Sequence, residues 1–223
     1  MIHCFNKMRR ALSLCLLALG ILLAPAAWSL SEVEFEGALV WIGNADPAGA
    51  PSPLLPALGV SFPLVKRRLW GVEAGALLTG TYYEYVNGRA VPSELEHRDF
   101  AVAVILADAR AGLHLPLGRS VVLSLTGGLI FYLPLPIPLF PDAWSKLGPT
   151  MSYMLLRSLY PETEISVRFP LLPSLDLRLG ARAGWPILHM IDGEGLPFWD
   201  QMIVSGVLGV VYRLPVKGDQ TKS

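Results

Sequence analysis

The chain is short of charge. Only 16% of its 223 residues are Asp, Glu, Lys or Arg against 52% hydrophobic, and the 18 basic side chains balance 18 acidic ones. A net charge of zero provides no basic footprint of the kind nucleic acid requires, so nucleic acid is not an expected partner. Cysteine is almost absent: Cys4 and Cys15 both fall in a leader read as removed, which excludes a disulfide or thiolate metal site in the mature chain. Histidine beyond the leader is reduced to His97, His114 and His189, far apart in sequence. There is no G-x-S-x-G elbow, no phosphate-binding glycine loop and no H-E-x-x-H. His97 does lie beside Glu94, Glu96 and Asp99, but that grouping reads as a charged loop. The expectation is a non-enzyme with no catalytic residue, no cofactor and no metal.

Beyond the N-terminus no long apolar run has the character of a membrane helix. Lys7, Arg9 and Arg10 precede the apolar stretch 11–23, and Ala24-Pro25-Ala26 or Ala27-Trp28-Ser29 supplies a small-residue cleavage site. Residues 1–29 are therefore expected to be a signal peptide cut near 26–29, because the apolar stretch is too short to span a bilayer as a helix. Leu12-Ser13-Leu14-Cys15 only mimics a lipoprotein box, since a bulky residue precedes the cysteine and the cysteine comes too early.

What is present is a rhythm of two. From Ser120 to Leu133 one parity reads Ser, Val, Ser, Thr, Gly, Ile, Tyr and the other reads Val, Leu, Leu, Gly, Leu, Phe, Leu. From Ser174 to Trp185 the same alternation places Asp176, Arg178 and Arg182 opposite Leu175, Leu177, Leu179, Ala181, Ala183 and Trp185. Strand side chains alternate between faces, so each segment has one apolar and one polar face. A soluble sandwich would bury the apolar face. A transmembrane barrel turns it toward lipid and encloses the polar one.

An internal repeat supports closure. Ser61-Phe62-Pro63-Leu64, His114-Leu115-Pro116-Leu117, Arg168-Phe169-Pro170-Leu171 and Arg213-Leu214-Pro215-Val216 each end an alternating segment, with their prolines roughly fifty residues apart. These mark one rim with short turns. The connections between them are long: 44–56, 86–98 with Asn87-Gly88, 134–161 with Pro134, Pro136, Pro138 and Pro141, and 186–200 with Asp192-Gly193-Glu194-Gly195. The fold expected is all-β, an eight-stranded antiparallel transmembrane β-barrel over 30–214 with short periplasmic turns and long extracellular loops, followed by a polar periplasmic tail over 215–223. Its strands are 33–43, 57–64, 69–84, 99–114, 120–133, 162–169, 174–185 and 201–214, with 152–159 either extending the sixth strand or forming a short amphipathic helix. The prolines after Leu133 are read as incompatible with a strand.

The outward parity collects Val33, Phe35, Leu39, Leu78, Ile105, Leu123, Leu179 and Leu208 without a charge, with Trp70 and Tyr212 toward one rim and Trp41, Tyr82, Phe131 and Trp185 toward the other. The inward parity collects Glu34, Glu36, Glu73, Asp108, Arg110, Glu164, Arg168, Asp176, Arg178, Arg182 and Arg213, mostly in the short-turn half. Enclosed charges must pair, so these predict an ion-pair plug. The other half gathers Val40, Ile42, Leu77, Phe100, Val102, Val104 and Ile130 into an apolar pocket under hydrophobic loops, which carry Leu135, Phe140, Trp144, Ile187, Leu188, Met190, Ile191, Leu196, Phe198 and Trp199. Such loops suit a lid, insertion among lipid headgroups, or guidance of a hydrophobic ligand.

The last segment, 207–214, resembles the C-terminal insertion signal of outer-membrane barrels through Gly209, Tyr212 and Leu214, although Val207 stands where a polar residue is usual. With its size, its apolar lumen above a polar one and its hydrophobic loops, the mature chain resembles small eight-stranded barrels, the OmpW family most. That resemblance implies location in the bacterial outer membrane, docking on the barrel-assembly machinery, contact with membrane lipids, and admission of small hydrophobic molecules. The alternative is a surface protein whose loops bind an extracellular partner and whose barrel only anchors it.

Overall fold

The computed structural model describes residues 31–45, 52–93, 98–118, 120–187, 191 and 197–214. The leader 1–29, the loop residues Glu94, Glu96, His97, Leu188, His189, Met190, Asp192, Gly193, Glu194, Gly195 and Leu196, and the tail 215–223 lie outside them.

Nine strands form one antiparallel sheet: β1 Glu32–Ile42, β2 Leu54–Lys66, β3 Trp70–Val86, β4 Arg89–Pro92, β5 Phe100–Leu117, β6 Val121–Pro138, β7 Leu159–Leu172, β8 Leu175–Gly184 and β9 Ile203–Arg213. The order β2-β1-β9-β8-β7-β6-β5-β3-β4 closes through an added β2–β3 pairing. Eight strands thus make the barrel and β4 hangs on the outer end of β3. Closure leaves the barrel wall without a free edge along most of its height. The segments expected to be strands are all strands here, with ends that differ by a few residues.

The short turns are at the proline rim. β2 returns as β3 through residues 67–69, β5 as β6 through 118–120, and β7 as β8 through 173–174. Pro63 and Pro170 stand where the ladder shifts register, between Pro63 and Val65 and between Pro170 and Leu172. A bulge tolerates the missing N–H.

The wall is uneven. β3, β5 and β6 run to 17, 18 and 18 residues, whereas β1, β8 and β9 have 11, 10 and 11. A tilted strand of about 9–11 residues already crosses a hydrocarbon layer. The three long strands overshoot that height, and β4 widens the projection.

Two expectations at this projection need correction. Pro134, Pro136 and Pro138 do not end the strand, because β6 continues to Pro138. The N–H of Tyr132 donates toward Ser158 on the β7 side at 2.7 Å, and that of Leu139 donates toward Asp99 on the β5 side at 3.0 Å. Even-numbered N–H groups of β6 thus point away from β5. The β6–β7 pairing ends at Phe131 opposite Leu159. Each proline lacks only a donor that would face no strand, and pairing with β5 proceeds to Phe100 opposite Pro138. Likewise 86–98 is not simply a loop: Asn87 and Gly88 have φ of 52° and 81°, the turn that joins β3 to β4.

Beyond β6, helix α1 spans Ala143–Leu156. It includes 152–156, and β7 begins three residues earlier than expected, at Leu159. Asp142 at its N-terminus makes no side-chain capping bond, and Pro149 lies within it. Packing holds it instead: Ala143, Thr150, Tyr153 and Met154 are buried and Leu147 rests on the core, a stripe at helical spacing.

Candidate functional site

Pairing register settles which parity faces in. Every outward position from Val33 to Trp41, Leu54 to Leu64, Trp70 to Tyr82, Ala101 to Leu117, Val121 to Ile137, Leu159 to Leu171, Leu175 to Ala183 and Val204 to Tyr212 is free of charge among the described residues. Phe35, Leu58, Leu78, Leu125, Ile165 and Leu208 are each about half exposed or more. Soluble monomers rarely expose contiguous apolar surface of this kind.

Inside the short-turn half, the eleven expected plug residues occupy two tiers. In the deeper tier Arg110, Arg178 and Arg182 meet around Glu164, which hydrogen-bonds to Arg110 and Arg178 and accepts from Arg182 Nε at 3.0 Å. Arg178 also reaches Glu34 at 2.7 Å, and Arg182 reaches Glu36 at 3.2 Å. Arg110 lies 2.8 Å from Asp108, 3.7 Å from Glu36 and 3.8 Å from Glu73. Arg110 on β5 and Glu36 on β1 are separated by two barrel strands even the shorter way round, so the pair crosses the lumen. Arg110, Arg178, Arg182, Glu36 and Glu164 are buried, and this tier fills the bore.

The second tier lies at the mouth. Arg168 forks onto Glu32 with two bonds of 2.9 Å and onto Asp176 at 2.7 Å. Asp176 also accepts from Arg213 at 2.6 Å, and Glu32 from Lys66 at 2.6 Å. Glu32, Lys66 and Glu162 belong to the network although the sequence reading did not select them. Glu32 and Glu162 share the inward parity of Glu34 and Glu164, a signal that was present. Lys66 follows a register shift that hides its parity. Beneath this tier His114 Nδ1 and Ser124 Oγ lie 2.9 Å apart.

The upper half is of different chemistry. Val40, Ile42, Leu77, Phe100, Val102, Val104 and Ile130 are at most 4% exposed and lie in one apolar cluster with Leu106, Tyr132, Tyr160 and Val207. Tyr83, Ala90, Tyr153 and Met154 continue this cluster upward, so that the long-loop end is stoppered by α1 and the β3–β4 hairpin. The tyrosine hydroxyls are satisfied or close to partners: Tyr83 and Tyr132 are 3.2 Å apart, and Tyr153 accepts from Arg89 Nε at 3.1 Å and Gln201 Nε2 at 3.0 Å. Asp200, 1% exposed, takes Arg89 at 3.2 Å and the backbone N–H of Ala45 at 2.6 Å. Lys146 of α1 pairs with Asp99 at 2.7 Å. A cavity of about 30 Å³ lies beneath this lid, room for about one water.

Above Phe131 the β6 edge has no strand partner, so the wall is interrupted there and α1 stands beside it. The outer surface of this region is apolar: Ile137, Phe140, Trp144 and Leu156 are all more than half exposed. Trp41 stacks on Trp199 with ring centroids 6.4 Å apart.

At the closing strand, Gly209 faces inward, Tyr212 faces outward and is 43% exposed, and the N–H of Leu214 donates to Ser31 at 2.9 Å. A Cβ on Gly209 would fall on the Glu34 carboxylate, so glycine leaves room for Glu34 to reach Arg178 in the ion-pair tier.

No family model matches this chain, and no curated protein matches it either. Solved structures do. Neisserial surface protein A is similar with a TM-score of 0.53 at 11% identity, over 82% of this chain and 96% of that one. The outer membrane protein OprG from Pseudomonas aeruginosa is similar with a TM-score of 0.51 at 10% identity, over 84% of this chain and 97% of that one. Ail, the attachment invasion locus protein of Yersinia pestis, follows with a TM-score of 0.47 at 11% identity, over 82% and 97%. At such identities the likeness is one of fold: this chain is a closed, eight-stranded antiparallel barrel similar to those of outer-membrane proteins.

Proposed function

We propose that this chain is exported by a cleaved leader over residues 1–29, is embedded in the bacterial outer membrane as an OmpW-like barrel, and receives small hydrophobic molecules in its upper half. The observation that carries the reading is the pairing of an enclosed apolar cluster with an interrupted wall. Residues from Val40 to Ile130 form an apolar interior directly beside the stretch of β6 that lacks a partner. A molecule admitted under α1, past the unpartnered β6 edge, displaces side chains of this packed apolar cluster, where about 30 Å³ is open in the absence of ligand. The ion-pair tier below opposes onward passage, because a neutral apolar solute gains nothing from it and would have to separate buried charges. The route is sideways, and the chemistry is binding and release without a catalytic step.

The test is binding of a hydrophobic fluorescent probe, N-phenyl-1-naphthylamine, to the folded chain in nanodiscs. Saturable binding is expected. It is expected to be abolished by Val104→Glu, which places a charge in the apolar cluster, and retained in Leu208→Ala on the outer wall. Absence of saturable binding, or equal binding by the Val104 variant once its folding is confirmed, would reject the reading.

A second reading has its own observation. Ile137, Phe140, Trp144 and Leu156 are exposed on the projection above the wall, far more apolar surface than water tolerates without reason. In that case the projection docks an extracellular partner and the barrel is an anchor. Loop-dependent binding to extracellular proteins, without binding of the probe, would favour it.

A further inference from the structure

The mouth at the short-turn end holds a cavity of about 500 Å³, within the size range of small-molecule sites. Six basic and four acidic side chains line it. The acids are already engaged. Glu32 takes the Arg168 fork and Lys66, and Asp176 takes Arg168 and Arg213. Glu34 belongs to Arg178, and Glu73 faces Arg110 and Arg178 in the deeper tier. The bases are not all engaged. Arg67 and Arg68, in the β2–β3 turn, are exposed and line the cavity, and neither has an ion-pair partner among the described residues. The Arg213 and Lys66 side chains remain about half exposed, at 48% and 51%, despite their pairs.

The turn places these bases by local structure. β2 and β3 stay paired to Lys66 opposite Gly71, and Arg67 N–H donates to Trp70 O at 2.9 Å. Lys66, Arg67 and Arg68 are thus held together at one lip. Apolar side chains of inward parity, Pro63, Pro116, Val122, Pro170 and Val211, also line the cavity. An incoming anion can meet Arg67 and Arg68 without displacing an internal carboxylate, while the organic part rests on these apolar side chains. Paired guanidinium forks favour a planar or tetrahedral oxyanion bound through several bonds, and a phosphate accepts more of them than a carboxylate.

We propose that the short-turn mouth is a binding site for a phosphate-bearing anion, held at its lip by Arg67 and Arg68 with Lys66 and Arg213 beside them. The phosphate comes either from the headgroup of an anionic phospholipid or from a soluble phosphate ester. This site is at the opposite end from the apolar pocket and does not rest on the function proposed for it.

Isothermal titration of the folded chain in uncharged detergent tests this, with two probes: inorganic pyrophosphate and monomeric dihexanoylphosphatidylglycerol. One saturable site per barrel is expected. The double variant Arg67→Ala/Arg68→Ala, whose changes lie in an exposed turn, is expected to weaken it at least about tenfold, while its heat-modifiable gel shift shows an intact barrel. Lys146→Ala at the far rim is expected to leave affinity unchanged. Binding of pyrophosphate identifies a soluble phosphate as sufficient, and binding of the lipid alone identifies the headgroup source; either supports the site. Overturning results are no saturable binding of either probe, undiminished binding by the double variant, or equal weakening by Lys146→Ala, which would reduce the effect to general charge attraction.

Discussion

The two halves of the lumen are buried equally well by opposite means. Below, Arg110 at 1% and Glu164 at 2% exposure are enclosed with their charges. Above, Val40 and Phe100 at 0% are enclosed without any. An ion pair in a closed bore is directional and intolerant: each partner must be placed, and loss of one strands the others. Apolar packing is non-directional and yields to repacking. The lower half is therefore the less tolerant of substitution, and the upper half the more open to repacking. That division suits the proposal of a barrel closed at one end that admits a ligand at the other.

The largest break in this comparison is expected at Glu164. It is shared by Arg110, Arg178 and Arg182. Glu164→Ala leaves three buried guanidiniums short of their common acceptor, and removal of one partner from a buried pair typically costs about 3–5 kcal/mol. Urea unfolding of the chain in lipid vesicles, followed by tryptophan fluorescence, should show the midpoint collapse. The apolar counterpart is Leu77→Ala, also buried at 1%. A buried Leu→Ala change costs about 2–5 kcal/mol; here the lower end is expected, because α1 and the β3–β4 hairpin can settle inward. If Leu77→Ala matched Glu164→Ala, the upper half would be as rigid as the lower and the contrast would fail.

Gly209→Ala sharpens the contrast from the backbone side. The added methyl collides with Glu34 and drives it from Arg178. Overpacking of this sort costs about 1–3 kcal/mol, and the loss should be smaller when Glu34→Ala is already present, a coupling that a double-mutant cycle measures.

How much of this was legible in the sequence follows from what each feature depends on. Period-two alternation is local, so the eight barrel strands and the inward parity of Glu34, Arg110 and Arg178 could be read directly. Glu162 could have been read too, because it shares the parity of Glu164 and opens the expected strand 162–169, but it was not selected. The β6 prolines could not. Whether Pro134 breaks a ladder depends on which neighbour its missing N–H would have faced, and that neighbour, β7, starts more than twenty residues later. Lys66 was hidden by the register shift after Pro63. Helix α1 has weak local signals, with Pro149 inside and no capping bond; only the stripe Ala143, Leu147, Thr150, Met154 announces it, and that stripe acquires meaning from the barrel on which it packs.

The lid itself is expected to be held by small terms. Tyr153→Phe removes the acceptor of Arg89 and Gln201, which is worth about 0.5–1.5 kcal/mol. Global unfolding should barely change, while hydrogen exchange in α1 accelerates and probe binding in nanodiscs quickens. Unchanged exchange in α1 would mean that the helix is held by packing alone.

The finest test lies between two acids of one strand. Glu162 and Glu164 share a face of β7 and both are buried at 2%. Glu164 is bonded to three arginines, whereas Glu162 reaches only Arg182, at 3.9 Å, and both of its carboxylate oxygens are without a hydrogen-bond partner among the described residues. The deeper tier sets Glu34, Glu36, Glu73, Asp108, Glu162 and Glu164 against three guanidiniums, so Glu162 adds negative charge to a region already well supplied. Glu162→Gln keeps the shape and removes that charge. It is expected to alter stability by less than about 1 kcal/mol, with stabilisation the favoured sign, because a neutral amide costs less to enclose than an unbonded carboxylate. The same substitution at Glu164 should destabilise the barrel severalfold more in the same vesicles. Equal losses at the two positions would show that the tier is held by its total acidic charge, and the assignment of its strength to the individual bonds around Glu164 would be wrong.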